Sequence, residues 1–358
     1  MLGGGINGLM TAWALLDQGY AVCLFEAKRL MGATSRASSK MLHGGLRYLE
    51  QGHFSLVREA LLERRWWLDQ HTGLAEPFRM IIPGYRGKGR HPLLIRTGTM
   101  LYDLLATGSR LPWSSYLSAS RTLVAVPGLK TSELIGSVSY WDVRMDDEQL
   151  GLWVSHQLKD RGLEVREHTE VQRINEMGEV FWEGGEERFD AIANVTGPWA
   201  IDLLDASAIK CAYRLVAVRG SHLVIDRPLE IGCLFQQDDG RVVFYLPYGD
   251  GQALLGTTEV EVSTTEPVKA SQAEIDELIA IHGKYIDPPI KDSEILDVYA
   301  GLRPIVLPRF ATNRDTKAMS RESMTVRHGK VVTLLGGKWT TSRKQGQAVA
   351  ALVKSTLV

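Results

Sequence analysis

The sequence predicts an α/β protein in which a parallel, dinucleotide-binding βαβ layer is interleaved with a mostly antiparallel β-sheet. Three observations predict it. The chain opens on MLGGGINGLMTAWALLDQGYAVCLFE, where Gly3, Gly5 and Gly8 satisfy G-x-G-x-x-G ahead of a helix-like run. From residue 212 to about 261 the pattern changes to short strand segments separated by turns. Near the end, an apolar run at 331–335 meets Gly336 and Gly337 and then a helical stretch at 340–357, which repeats the strand, glycine, helix order of the opening.

Each part of the opening has a physical reason. The first Gly makes the tight turn, the second lets backbone approach a diphosphate, and the third lets the helix pack closely on the sheet. Apolar residues at 9–16 and the stop at Gln18 and Gly19 mark the helix, and 21–25 reads as a buried strand ending in Glu26. The unpaired N–H groups of the first helical turn, together with the positive end of its dipole, suit an anionic diphosphate. Glu26 follows Gly8 by 26 − 8 = 18 residues, where an acid accepts from both hydroxyls of an adenosine ribose and favours NAD or FAD over NADP. Met1 and Leu2 supply only the last rungs of the first strand, so an upstream extension is expected to tighten dinucleotide binding.

Composition is that of a soluble enzyme. With 41 Lys+Arg against 42 Asp+Glu, the chain lacks the basic excess that nucleic acid binding demands, so no nucleic acid partner is expected. No apolar run approaches a membrane span and no signal peptide precedes the glycines, which predicts a cytoplasmic location. Cys23, Cys211 and Cys233 are isolated, without C-x-x-C, and read as core residues with no metal site.

Further along, 31–50 is rich in Gly and Ser. Small residues and the hydroxyls of Thr34, Ser35, Ser38 and Ser39 can close on a diphosphate or a flavin ring, while His43, Arg47 and Tyr48 reach further. Residues 54–71 form an amphipathic helix whose apolar positions read as plain core packing. Between Glu76 and Asp103 the chain carries five Arg and Lys residues, no carboxylate, and the apolar pairs Ile81, Ile82 and Leu93, Leu94. Either a solvated loop or a contact with anionic lipid on the inner face of a membrane fits that pattern. A helix at 146–161 is capped by Asp146 or Asp147, and short strands follow at 163–167, 170–174 and 179–183. A buried strand at 190–195 delivers Thr196, Gly197 and Pro198 to a turn. Strands are expected at 214–218, 222–225, 242–246, 253–256 and 295–302, with a helix at 271–285 under a capping box of Ser271 and Glu274.

The run ATSRASSKMLHGGLRYLE, with LVREALLER after it, resembles the FAD-dependent glycerol-3-phosphate dehydrogenases of the D-amino-acid-oxidase-like flavoprotein superfamily. The likeness continues through YWDVRMDDEQL, NVTGPWA, RGSHLVID, GRVVFYLPYGD, LLGTTEVE, GLRP and GGKWTTSRK, and so spans essentially the whole chain. It implies a Rossmann-like FAD-binding domain (1–75, 145–205 and 325–358) interleaved with a substrate domain (76–144 and 206–324). The implied cofactor residues are Gly3, Gly5, Gly8, Glu26, Thr34, Ser35, Ser39, His43, Gly44, Thr196, Gly197, Gly337, Lys338, Trp339 and Thr340.

Oxidising a secondary alcohol with a flavin requires the C2 hydrogen to face flavin N5, a base for the hydroxyl proton, and cations for the substrate phosphate. His222 in RGSHLVI is the best base, the alternative being a satisfied sheet histidine. Arg303 sits between Gly301 and Pro304, at what reads as a break in a strand, where an inward guanidinium needs an anionic partner. By resemblance, Arg47, Tyr48, His222, Arg303, Arg321 and Lys338 form the substrate constellation. The implied reaction is oxidation of sn-glycerol 3-phosphate to dihydroxyacetone phosphate with electrons passed to quinone or another acceptor, and a homodimer is compatible with it. Two alternatives remain open: a related flavin oxidase or dehydrogenase acting on a 2-hydroxy acid or amine, and a truncated FAD-binding paralogue without activity. Trp339 is bulkier than the family residue expected there, 306–317 differs from the family pattern, and the helical C-terminal domain of longer members does not follow the last helix.

Overall fold

The opening strand lies at the centre of its sheet although it contributes only the Leu2 bridge, with Leu2 bonded to one neighbour and Met1 and Gly3 to the other. In the computed structural model, which describes residues 1–310 and 323–357, Leu2 bridges Phe25 on one edge and Asn194 on the other, both parallel. The Leu2 N–H donates to Ala193 O and the Gly3 N–H to Phe25 O, each at 2.9 Å, so these are the rungs directly under the glycine turn. Around them the parallel layer runs Glu164–Arg166, Cys23–Phe25, Leu2, Ile192–Asn194, Val331–Leu335, with Met324–His328 antiparallel at the edge. Between these strands the chain crosses over by a helix, by the three-stranded sheet of 171–188 or, in two long excursions at 26–163 and from 195 onward, through a second and larger sheet, which is how the two layers come to be interleaved.

The helices are α1 (Ile6–Asp17), α2 (Phe54–Leu68), α3 (Pro92–Leu105), α4 (Ala119–Ala125), α5 (Asp147–Lys159), α6 (Ala200–Ala206), α7 (Gln272–Tyr285) and α8 (Ser342–Lys354). α1, α5 and α8 bury Leu9, Met10, Leu150, Val154, Val349 and Ala350 against the strands at Leu24, Val332 and Leu334, so the core of this layer is continuous from first helix to last. Asp146 is the cap of α5, accepting from the Gln149 N–H at 3.0 Å, which leaves Asp147 to turn inward. The capping box of α7 is present, with Ser271 and Glu274 bonded reciprocally. α8 begins at Ser342 rather than at Thr340, because 336–341 form an irregular turn first.

Among the described residues the second sheet has ten strands, and it differs from the sequence reading in instructive ways. The strands expected at 214–218 and 222–225 are one, Tyr213–Ile225, and it pairs antiparallel along its length with Ile295–Pro308. Arg303 is therefore no break in a strand: it lies in register opposite Val218. Leu134–Met145 and Gly232–Gln236 are further strands that the sequence reading did not place. The acid-free segment is neither loop nor wholly surface. It takes in most of the strand Ala75–Tyr85, which buries Ile81 and Ile82, and most of α3, whose Leu93 and Leu94 are exposed. Cys211 and Cys233 are buried as expected, whereas Cys23 is only half-buried.

α7 closes the far face of this sheet, packing Leu278, Ile281 and Tyr285 on Leu223, Ile225 and Phe235. Within that core His282 is fully buried, edge-on to Tyr245 at 5.1 Å between ring centroids, and neither ring nitrogen has a partner. Burial, reinforced by Arg227 and opposed by Glu294, holds its imidazole down at about 4. An unfolded histidine titrates near 6.5, so between about pH 6.5 and 4 the unfolded chain binds the extra proton and stability falls as pH drops. Replacing His282 by Leu should remove one proton from that dependence. Urea unfolding at several pH values should show a slope smaller by up to about 1.4 kcal/mol per pH unit in this window; an unchanged slope would mean that His282 is not held neutral.

Candidate active site

A single cavity of about 2300 Å³ runs from the glycine turn to the face of the large sheet. Ordinary small-molecule pockets occupy roughly 300–1,000 Å³, so this one has room for a dinucleotide and a separate substrate. Among the described residues, every site residue expected from the sequence lines it except Gly8, which lies beneath the turn. Arg321 falls outside the described residues.

At the dinucleotide end the glycines are required by contact. Gly3 has φ +99° and a Cβ there would lie 2.6 Å from Val195 O; at Gly8 it would lie 1.9 Å from Gly3 O. Ser35 Oγ accepts from the Ile6 N–H at 3.0 Å and occupies the start of α1. Glu26 accepts from Gly4 N at 2.7 Å and Lys28 N at 2.9 Å, which fixes its carboxylate at the cavity wall beside the turn. Thr196 is held by Asn194 Oδ1 at 2.8 Å, and Gly197 turns the chain at φ +62°.

Opposite, the 336–341 turn carries Gly337 at φ +116°, where a Cβ would press to 2.5 Å from Asn7 Nδ2. Asn7 Oδ1 is buried with no partner in the protein, an acceptor waiting for a donor. Trp339 Nε1 donates to Ser35 O at 3.0 Å, and Thr340 Oγ1 accepts from His43 N at 3.2 Å, so the two halves of the expected flavin site are tied to each other. His43 Nδ1 accepts from Gly45 N, which assigns the ring proton to Nε2. Burial, then Lys338 and Arg64, keep this ring neutral, at about 4. Beneath it, Tyr102 OH accepts from Gly44 N at 2.7 Å and donates to Asp142, itself buried against Arg64 at 2.6 Å. Glycines that a Cβ would block and an orphaned acceptor in the first turn of a helix fit a flavin dinucleotide.

The substrate end is built by strand periodicity. Residues two apart on a strand share a face, so His222, Gly220 and Val218 face the cavity together with their partners Tyr299, Gly301 and Arg303. The glycine pair makes a floor with a histidine at one end and an arginine at the other. Arg303 Nη2 donates to Thr258 O at 2.6 Å and Thr257 Oγ1 at 3.2 Å, while Nη1 lies 3.5 Å from Glu259. Thus Arg303 has its anionic partner, one that the sequence reading did not name although it stands in the LLGTTEVE block. His222 stacks on Tyr299 with centroids 4.9 Å apart, its Nε2 lies 2.9 Å from Ser39 Oγ, and its Nδ1 is buried without a partner. Burial above all, then Arg303 and Lys40, push it down to about 3, so it is neutral at physiological pH.

Two more groups were not found from sequence. Lys40 pairs with Asp147 at 2.5 Å, and Ser38 donates to the same carboxylate at 2.7 Å while its carbonyl accepts from Tyr299 OH. These residues hold the ring that stacks on His222; polar residues in a Ser-rich loop gave no signal of it. Lys338 completes the cavity, its Nζ 4.2 Å from the centre of the Tyr48 ring. Among the described residues neither Lys338 nor Arg47 has a carboxylate partner, and both line the same space.

A profile of the family described as FAD dependent oxidoreductase matches residues 2–342. Glycerol-3-phosphate dehydrogenase 2 of Mycobacterium tuberculosis is 33% identical over 96% of this chain, and aerobic glycerol-3-phosphate dehydrogenase of Escherichia coli is 32% identical over 96%. The chain spans 60% of the first relative's length and 70% of the second's. The fold matches a glycerol-3-phosphate dehydrogenase from Bacillus halodurans solved with FAD, with TM-score 0.75 and 21% identity over 99% of this chain and 63% of that one. It also matches glycine oxidase from Bacillus cereus, with TM-score 0.71 and 17% identity over 99% of this chain and 96% of that one. With the glycine cradle, the orphaned Asn7 and the profile in agreement, the chain belongs to the FAD-dependent oxidoreductases.

Proposed function

We propose that this chain oxidises sn-glycerol 3-phosphate to dihydroxyacetone phosphate and passes the electrons to a quinone. The observation that carries the reading is a neutral, buried His222 sharing one cavity with Arg303, Lys338 and Arg47, continuous with the dinucleotide groove. Bound FAD supplies the two-electron acceptor for the C2 hydrogen. His222 takes the hydroxyl proton at Nε2, where Ser39 Oγ holds the imidazole edge in place beforehand. Arg303 and Lys338 bind the phosphate or polarise the C2 oxygen, and a dianion competes well with Glu259 because it can take two charge-assisted bonds from one guanidinium. Tyr48 sets the position of Lys338 from below.

A lipid-soluble acceptor is supported by α3. Leu93, Met100 and Leu104 lie on one exposed stripe of this helix, while Leu94, Ile95, Gly98 and Leu101 line the cavity. An apolar face in water next to an opening into the flavin cavity suits a peripheral contact with a membrane. Among the described residues no helix is long and apolar enough to cross one.

Glycerol 3-phosphate added without oxygen should bleach the flavin, and glycerol at the same concentration should not; bleaching by glycerol would remove the phosphate from the reading. Arg303→Ala and Lys338→Ala should each lose at least about a hundredfold in rate if they meet developing charge, and wild-type turnover in either would exclude that residue. Sedimentation with anionic phosphatidylglycerol vesicles should carry the chain down, and Leu93→Ser with Leu104→Ser should leave it in the supernatant. Equal sedimentation of both proteins would place the membrane contact elsewhere.

A further inference from the structure

Five of the nine tryptophans stand in one unbroken file. Trp339 lines the flavin cavity from the turn before α8. Its ring lies 4.9 Å from Trp67 of α2, Trp67 lies 4.9 Å from Trp66, Trp66 lies 6.3 Å from Trp13 of α1, and Trp13 lies 6.4 Å from Trp153 of α5. These are centroid separations of rings in direct contact, within the 4.5–7 Å at which aromatic pairs pack. Trp67 is fully buried, whereas Trp66, Trp13 and Trp153 are only partly so, and the file therefore leads from the cavity toward solvent.

Packing alone does not require this arrangement. Leu or Met at any of these positions would fill a helix interface, and tryptophan rarely buries fully because of its size. Indole is also among the side chains most readily oxidised by one electron, and the indole cation so formed is less disfavoured where nearby positive charge is neutralised. Two guanidinium groups lie over the file, Arg343 at 5.0 Å from Trp66 and Arg161 at 5.2 Å from Trp13. Each is ion-paired: Arg343 to buried Glu63 by two hydrogen bonds of 3.1 and 2.6 Å, Arg161 to Asp17 at 2.5 Å. The inner N–H groups are fixed as well, with Trp339 Nε1 on Ser35 O and Trp67 Nε1 on Thr340 O.

We infer that Trp339, Trp67, Trp66, Trp13 and Trp153 form a single-electron path between the flavin site and the protein surface. A one-electron oxidant in the cavity, such as photoexcited oxidised flavin, takes an electron from Trp339. Trp67 refills Trp339, Trp66 refills Trp67, Trp13 refills Trp66, and Trp153 refills Trp13, so the oxidising equivalent moves outward. At the surface the oxidised indole releases its Nε1 proton to water and is restored by one hydrogen atom from a thiol in solution. The path gives oxidising equivalents a way out of the cavity other than damage to the substrate-binding residues. It rests on the flavin site and not on the identity of the substrate, since no substrate takes part.

The test uses the full chain with its FAD, without oxygen or substrate, under pulsed blue light. Transient absorption should show a long-lived indole radical, and steady illumination with dithiothreitol should reduce the flavin. Trp13→Phe should leave the short flavin fluorescence lifetime as it is, because Trp339 still donates, yet lower the yield of long-lived radical and the photoreduction rate at least tenfold. Trp66→Phe should do the same, and Trp339→Leu should lengthen the flavin lifetime in whatever fraction retains FAD. Flavin content and melting temperature measured on each variant separate these effects from misfolding. Radical yield in Trp13→Phe equal to that of the wild type, or no indole radical in the wild type, would overturn the path.

Discussion

The arrangement depends on two places where backbone packs directly on backbone. At Gly8 a Cβ would lie 1.9 Å from Gly3 O, and at Gly346 it would lie 2.4 Å from Met10 O. The first seats α1 against its own glycine turn, and the second seats α8 against the middle of α1. Together they bring the start of α1 and the 336–341 turn to opposite sides of one space, with Asn7 against Gly337. A side chain at either point would separate the two anion-friendly backbone surfaces by about the width of a methyl group, far more than hydrogen-bond geometry tolerates.

The substrate end is held by buried charge rather than by close packing. Glu274, 2% exposed, accepts from Ser271, Ser221, Thr258 and Arg219, and these bonds press its carboxyl down to about 2 despite burial. Thr258 in turn gives its carbonyl to Arg303. Asp147, Lys40 and Ser38 hold Tyr299, and Tyr299 supports His222. A buried carboxylate without its partners would cost several kcal/mol, so both clusters fix one arrangement of the strands that bear His222 and Arg303. The base and the guanidinium are thereby positioned before any substrate arrives, which is where much of the advantage of orientation lies.

How much of this was legible depended on whether the signal was local. The G-x-G-x-x-G turn, the Ser271 and Glu274 box and the glycines at 336 and 337 are fixed by residues within a few positions, and each lies where the sequence puts it. His222 and Arg303 were visible as residue types, but their shared face depends on a pairing across about eighty residues, and so Arg303 was read as a strand break. Ile81 and Ile82 looked like surface because charged neighbours surround them, although alternate side chains of a strand point to opposite faces and these two lie in separate cores. Lys40, Asp147, Glu259 and Tyr299 acquire meaning only through contacts made by the fold, and no spacing in the chain announces them.

The central claim is that one cavity holds the flavin dinucleotide and a phosphorylated alcohol side by side, between the glycine turn and the His222–Arg303 floor. A crystal structure of the FAD-loaded chain with dihydroxyacetone phosphate tests it most directly. The account predicts the diphosphate against the N–H groups at the start of α1, and the ligand phosphate within hydrogen-bond reach of Arg303 or Lys338 with its C2 oxygen facing His222. A ligand phosphate bound outside this cavity, or a diphosphate away from the turn at Gly3, would contradict it.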